Sequence, residues 1–238
     1  MNKLNKVEKQ YAAAMLGDLK TANFNNPELW LEIRESMKKV AYHEAGHIAA
    51  RIFTSLELTH ILKISIIGNA DITGYVRSER NFKELTLDSN PPPLKQSSGR
   101  MLLLMHLAGY GAETILDQSG KWDNIISYYN CNQDDYDDEG SDFFRALKIA
   151  GIMKRPFMPV SRIINLSDKW TLEMLNIPAV WNKVETVAAK LIKQGEIKED
   201  ELDDLLFDKS FPTCYHLPKW RRRLLPKPVE LNKYIERA

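Results

Sequence analysis

The amino-acid sequence predicts a mainly α-helical domain of the α+β class, in which a small β-ribbon accompanies the helices. Apolar residues recur at helical spacing over 26–54, 100–116, 142–153 and 179–194. One region, between Thr59 and Arg77, carries the Ile-rich runs and turn residues that mark paired strands. No internal repeat is evident, and 238 residues suffice for one domain with a sizeable core and appendages.

Taken in order, Lys6–Lys20 reads as a short helix that ends near a loop holding Asn23, Asn25 and Asn26. Asn26 suits the N-cap of the next helix, Pro27 its first position and Glu28 its positive end. That helix extends to about Thr54. Leu29, Ile33, Val40, Ala41, Ile48, Ala49 and Ile52 form its apolar face, and Lys38, Lys39 and Arg51 supply a polar one. Gly46 inside it costs about 1 kcal/mol relative to Ala, so it needs a reason, such as close approach of another backbone. Thr59–Ile67, bounded by Gly68-Asn69, pairs with 72–77 as a hairpin or small ribbon. Ser89–Gly99 contains three consecutive prolines and reads as a loop or insertion. Arg100–Leu116 is helical, with a stripe of Met101, Leu104, Met105, Ala108 and Ala112. Gly120–Gly140 is irregular, and Asp142–Met153 is a helix stopped by Arg155-Pro156. Asp168–Leu175 is a helix stopped by Pro178, Ala179–Gln194 another stopped at Gly195, and Lys198–Phe207 a last short one.

The most informative residues lie on the long second helix. Residues 41–47 read Ala-Tyr-His-Glu-Ala-Gly-His, which places His43 and His47 at i and i+4 on one helix face, where both imidazoles can grip one metal ion. Glu44 can reach a water at that metal without being a ligand. This is the zinc-hydrolase pattern, with one Zn2+ per chain and Glu44 as the general base. The plainer alternative is a core helix with two satisfied histidines.

A zinc site of this kind takes a third protein ligand. His60 and His216 lie in irregular contexts, and His106 on an apolar helix is more in keeping with a core or surface histidine. Glu113 stands on the same apolar helix. Asp142 begins a helix after Gly140-Ser141, where backbone N–H groups can hold its carboxylate. Spacing alone does not choose among them.

The run Lys39-Val40-Ala41-Tyr42-His43-Glu44-Ala45-Gly46-His47 resembles the active-site helix in the peptidase domain of FtsH-type proteases, which are membrane-anchored, ATP-dependent zinc proteases. The likeness continues in order: 63–67 with Gly74-Tyr75 resembles that family's strand pair, 107–113 its Leu-Ala-Gly-Arg-x-Ala-Glu segment, and Gly140-Ser141-Asp142 its Ser-Asn-Asp helix. A fainter echo runs through Val184, Val187 and Leu191 to Leu202, so about 35–206 is covered. The resemblance implies a zinc metalloendopeptidase, with Asp142 as third ligand and Glu113 as a supporting or alternative carboxylate. It also implies a substrate strand around Ile64 and Ile66 or Gly74 and Tyr75, holding an extended peptide by β-addition. The chain then divides into an N-terminal helical extension (1–25), a metallopeptidase domain (26–207) and a basic, Pro-containing arm (208–238).

Other features bound the function. No Gly-x-x-x-x-Gly-Lys-Ser/Thr loop is present, and Tyr110 stands where the family has Arg, so ATP dependence and hexamer assembly are not expected from this chain. Net charge is +1, which gives no global pull toward nucleic acid, and Cys131 and Cys214 make no disulfide framework. With neither the apolar core of a signal peptide nor a bilayer-length apolar run, a soluble, cytoplasmic chain is expected. The acidic run 134–139 fails as an EF-hand because Ala146 falls where the bidentate Glu belongs. The tail Lys219-Trp220-Arg221-Arg222-Arg223 reads as an extended arm against this domain or a neighbouring subunit of a homo-oligomer. The rival to a peptidase acting on protein or peptide substrates is a catalytically idle scaffold of the same fold that binds a protein partner.

Overall fold

A computed structural model describes residues 4–16, 26–54, 61–67, 75–78, 96–117, 141–153 and 159–206. In chain order these form α1 (Lys6–Leu16), α2 (Pro27–Thr54), β1 (Ile61–Ser65), β2 (Tyr75–Ser78), α3 (Gln96–Leu116), α4 (Asp142–Met153), α5 (Val160–Leu175), α6 (Pro178–Gln194), β3 (Glu196–Lys198) and α7 (Glu199–Leu206). The fold is mainly helical with a small antiparallel sheet, as the periodicities predict.

Local chemistry sets the helix ends. Asn5 and Glu8 form a reciprocal box at the start of α1: the Glu8 amide donates to Asn5 Oδ1 at 2.9 Å, and the Asn5 amide donates to Glu8 Oε2 at 2.6 Å. Asn26 caps α2 through its Oδ1, which accepts the Glu28 amide at 3.0 Å. Pro178 starts α6 rather than merely stopping α5, because the first helical position needs no amide hydrogen. Gly195 ends α6 with φ 81°, a left-handed conformation that glycine adopts without steric cost.

Helix α2 runs unbroken, and every residue from Glu44 to Thr54 is buried. It packs against α3 on one side and α6 on another. Helix α3 is buried from Met101 to Ala112 on all faces, because it serves two apolar clusters. Ala108 and Ala112 join the cluster of α1, α2, α6 and the sheet, while Met101, Leu102, Met105 and Leu107 join that of α4 and α5. The N-terminal helix belongs to the first cluster through Tyr11 and Ala12. It is also clamped to α2 by Glu8–Arg34 and Tyr11–Ser36 contacts of 2.7 and 2.8 Å.

Two helices start earlier than the sequence predicts, and one strand is additional. Helix α3 begins at Gln96, inside the segment expected to be a loop. Helix α5 begins at Val160, eight residues before the expected start, because Ile163 and Ile164 extend its buried face backwards. The short strand β3 was not anticipated. It pairs with β1, as β2 does, giving the order β2-β1-β3 with Ile64 opposite both Val76 and Ile197. Gly74 and the acidic loop, His60, His216 and the basic arm lie outside the described residues, so the expectations placed on them are not addressed.

Gly46 finds the packing reason its helix position demands. A Cβ there would lie 2.3 Å from the carbonyl oxygen of Ala108 and 3.0 Å from the Cβ of Ala112. Gly46→Ala should therefore destabilise the fold by about 2 kcal/mol in urea denaturation, since prying two helix backbones apart outweighs the gain in helix propensity. A variant as stable as wild type would mean the two helices separate without cost.

Candidate metal centre

The i, i+4 spacing on α2 aims His43 and His47 at the same point, with ring centroids 4.7 Å apart and planes at 78°. Asp142 reaches that point from the first turn of α4. Its Oδ2 lies 3.0 Å from His47 Nε2 and 3.5 Å from His43 Nε2. One ligand atom from each of the three residues lies within 4.8 Å of the others, so the group could hold a metal ion. Metal–ligand bonds of about 2.0–2.1 Å at tetrahedral angles put neighbouring ligand atoms about 3.3 Å apart. The two observed separations bracket that value, so Asp142 Oδ2 lies where it could share an ion with either imidazole.

Each of the three side chains meets a polar group of α3 behind it. His43 Nδ1 lies 2.6 Å from Glu113 Oε1, and His47 Nδ1 lies 2.7 Å from the Met105 carbonyl oxygen. Both Nδ1 atoms thus face acceptors to which they can donate, which turns the two Nε2 atoms toward Asp142 Oδ2; in the neutral rings the Nε2 lone pairs would be free for an ion between them. Asp142 Oδ1 accepts from His106 Nδ1 at 2.7 Å, and Arg145 Nη1 stands 3.6 Å from the same oxygen. Gly109 completes the face: a Cβ there would lie 2.5 Å from His43 Nε2. The Tyr110 ring stands perpendicular to that of His43, with centroids 4.9 Å apart.

Asp142 owes its position to Ser141, whose Oγ accepts the Phe144 amide at 3.2 Å and so caps α4. The expectation that backbone N–H groups would hold Asp142 itself is thereby corrected: the serine does the capping, and the Asp142 carboxylate is taken by imidazoles. Glu113 stands behind His43, on the ring nitrogen away from the ligand cluster.

The charges are tightly coupled. Burial opposes ionisation of Asp142, but His47, His106 and His43 hold its carboxyl well below the usual range. Burial likewise opposes a charge on His43, and the Asp142 and Glu113 carboxylates overcome it and raise its pKa well above the ordinary value of 6.5. Burial raises the Glu44 pKa, although His43 and His47 pull the other way. Burial lowers that of His106, which favours the neutral ring. Arg51, one turn beyond His47 and also buried, is pushed down to about 10 by burial against the attraction of Asp142 and Glu44.

Sequence reasoning singled out His43, Glu44, His47, Asp142 and Glu113, and all five meet in this region. His106, in keeping with a core or surface histidine from its sequence, is buried with its Nδ1 against Asp142. The legible signal was its stripe, since 106, 109 and 113 share one face of α3. Arg51 and Arg145 were missed as site residues. The substrate-strand reading is corrected for Ile64 and Ile66. Both side chains are fully buried, and β1 is paired on both edges around Ile64, so it has no free edge there. Tyr75 lies on β2, an outer strand of the described sheet, half-buried with Lys63 5.9 Å from its ring centroid.

A protonated His43 bridging two carboxylates stabilises the metal-free fold. Because its folded pKa is raised, this contribution is complete below pH 6.5 and is lost as pH climbs through the raised value. Thermal melts in chelator should show stability declining over that window in wild type and less so in His43→Gln; equal declines would remove His43 as the cause. A metal ion competes with the same proton, so divalent-metal affinity should rise with pH across the window. No family model matches this chain and no curated protein matches it.

Proposed function

We propose that this chain is a zinc-dependent metallopeptidase akin to the peptidase domain of FtsH-type proteases, hydrolysing peptide bonds with Glu44 as general base. The observation that carries the reading is the meeting of His43, His47 and Asp142 beside a buried Glu44. A purely structural metal site needs ligands but has no use for Glu44, and two imidazoles with one carboxylate leave a tetrahedral ion an open position. Zinc bound there would supply Lewis acidity, making water a nucleophile near neutral pH and polarising the scissile carbonyl.

The chain's own groups do the rest. Glu44 takes the proton from the attacking water and delivers it to the leaving amine, and its raised pKa suits a group that must both accept and return a proton. Glu113 and the Met105 carbonyl keep the two imidazoles in the tautomer that points Nε2 inward. Strand β2, an outer strand of the described sheet that carries Tyr75, is the edge proposed to receive an extended peptide. The chain has no phosphate-binding loop, so we propose cleavage of flexible segments without ATP.

Glu44→Gln should keep about one zinc per chain while lowering peptide or casein cleavage by about 10²–10⁴-fold. Cleavage at the wild-type rate would remove Glu44 from the mechanism. Zinc-loaded wild type that cleaves nothing would favour the idle scaffold instead. In elemental analysis Asp142→Ala should lose most of its zinc, whereas Glu113→Ala should weaken binding by about 10–100-fold. The reverse order would make Glu113 the ligand.

A further inference from the structure

His106 has no part in the hydrolysis described above, yet it is 5% exposed and its Nδ1 sits 2.7 Å from Asp142 Oδ1. The other carboxylate oxygen, Oδ2, is the one that faces both motif imidazoles. The two oxygens of one carboxylate are therefore divided between a buried ring and the ligand cluster. Of the remaining groups near Asp142, Arg145 stands 3.6 Å from Oδ1, too far for a strong hydrogen bond. His106 is thus the short, buried contact that distinguishes the two oxygens.

We infer that His106 is the positioning residue for Asp142: by donating to Oδ1 it presents Oδ2 alone to the metal and prevents chelation through both oxygens. A coordination position consequently stays open for water. Removal of the donor frees the carboxylate to rotate about its Cβ–Cγ bond, toward two-oxygen binding or toward Arg145. The inference rests on the metal-centre reading and deepens it.

The test uses three substitutions at one position. Asn can place its amide nitrogen where the imidazole has Nδ1, whereas Gln places its amide nearer the position of Nε2. Metal affinity, measured by competition with a chromophoric chelator, should fall about 10–100-fold in His106→Ala. It should recover to within about threefold of wild type in His106→Asn and stay low in His106→Gln. Visible absorption of the Co2+ form should show an intense four-coordinate band in wild type and His106→Asn, and a weaker band of higher coordination number in His106→Ala. Because His106 acts through Asp142, adding His106→Ala to Asp142→Ala should change the remaining affinity by less than about twofold.

A wild-type chain that takes up no stoichiometric metal overturns the metal centre, and this inference with it. A wild type that binds metal while the Ala variant matches its affinity and spectrum, or while Gln rescues as well as Asn, overturns the inference alone. Should His106→Ala not fold by circular dichroism, the Asn and Gln pair decides on the same criteria.

Discussion

The contact between the backbones of α2 and α3 at Gly46 and Ala108 is the constraint from which the site follows. A side chain at Gly46 would occupy the place of the Ala108 carbonyl oxygen, and one at Gly109 would occupy that of the His43 ring. With both side chains absent, α3 lies close enough for its polar groups to reach across. Met105, His106 and Glu113 stand on the stripe facing the centre, and they meet His47, Asp142 and His43 respectively. One helix thus orients three residues that come from two others. A small increase in the separation of α2 and α3 would lengthen these hydrogen bonds together.

Electrostatics explains why so many groups are gathered. Glu44, Glu113 and Asp142 are carboxylates within a largely buried region, and burying ionised carboxylates is costly unless positive charge or hydrogen bonds compensate. Arg51 and Arg145 supply fixed cations, and a protonated His43 supplies another in the metal-free state. A divalent ion among His43, His47 and Asp142 would take over the role of that proton and release His43 to coordinate. The arrangement that stabilises a proton between two carboxylates is one that could also hold a metal ion.

Much of the helical framework was legible because its signals are local. Asn26-Pro27-Glu28 marked the start of α2 and Gly195 the end of α6, each through backbone chemistry that needs no distant partner. The stripes of α4 and α6 likewise reported their buried faces. Helix α3 hid its double duty, because a helix buried on every side has no polar face to mark its orientation. The third strand escaped because Glu196-Ile197-Lys198 alternates over three residues only, too short a run to mark a strand, and it exists through pairing with β1. That pairing also removes β1 from the list of edges open to a peptide.

The sequence by itself determined the half of the site that lies within one helical turn: His43 and His47 share a face, with Glu44 beside them, because 3.6 residues per turn permits nothing else. Tertiary structure decided which distant carboxylate faces them. His43 and Asp142 are 99 residues apart, and only the packing of α3 between α2 and α4 brings Oδ2 to both imidazoles while Glu113 turns to Nδ1. It also decided which oxygen of Asp142 the His106 ring meets. Periodicity specifies the face a residue occupies, and the partner across that face is set by how the helices pack.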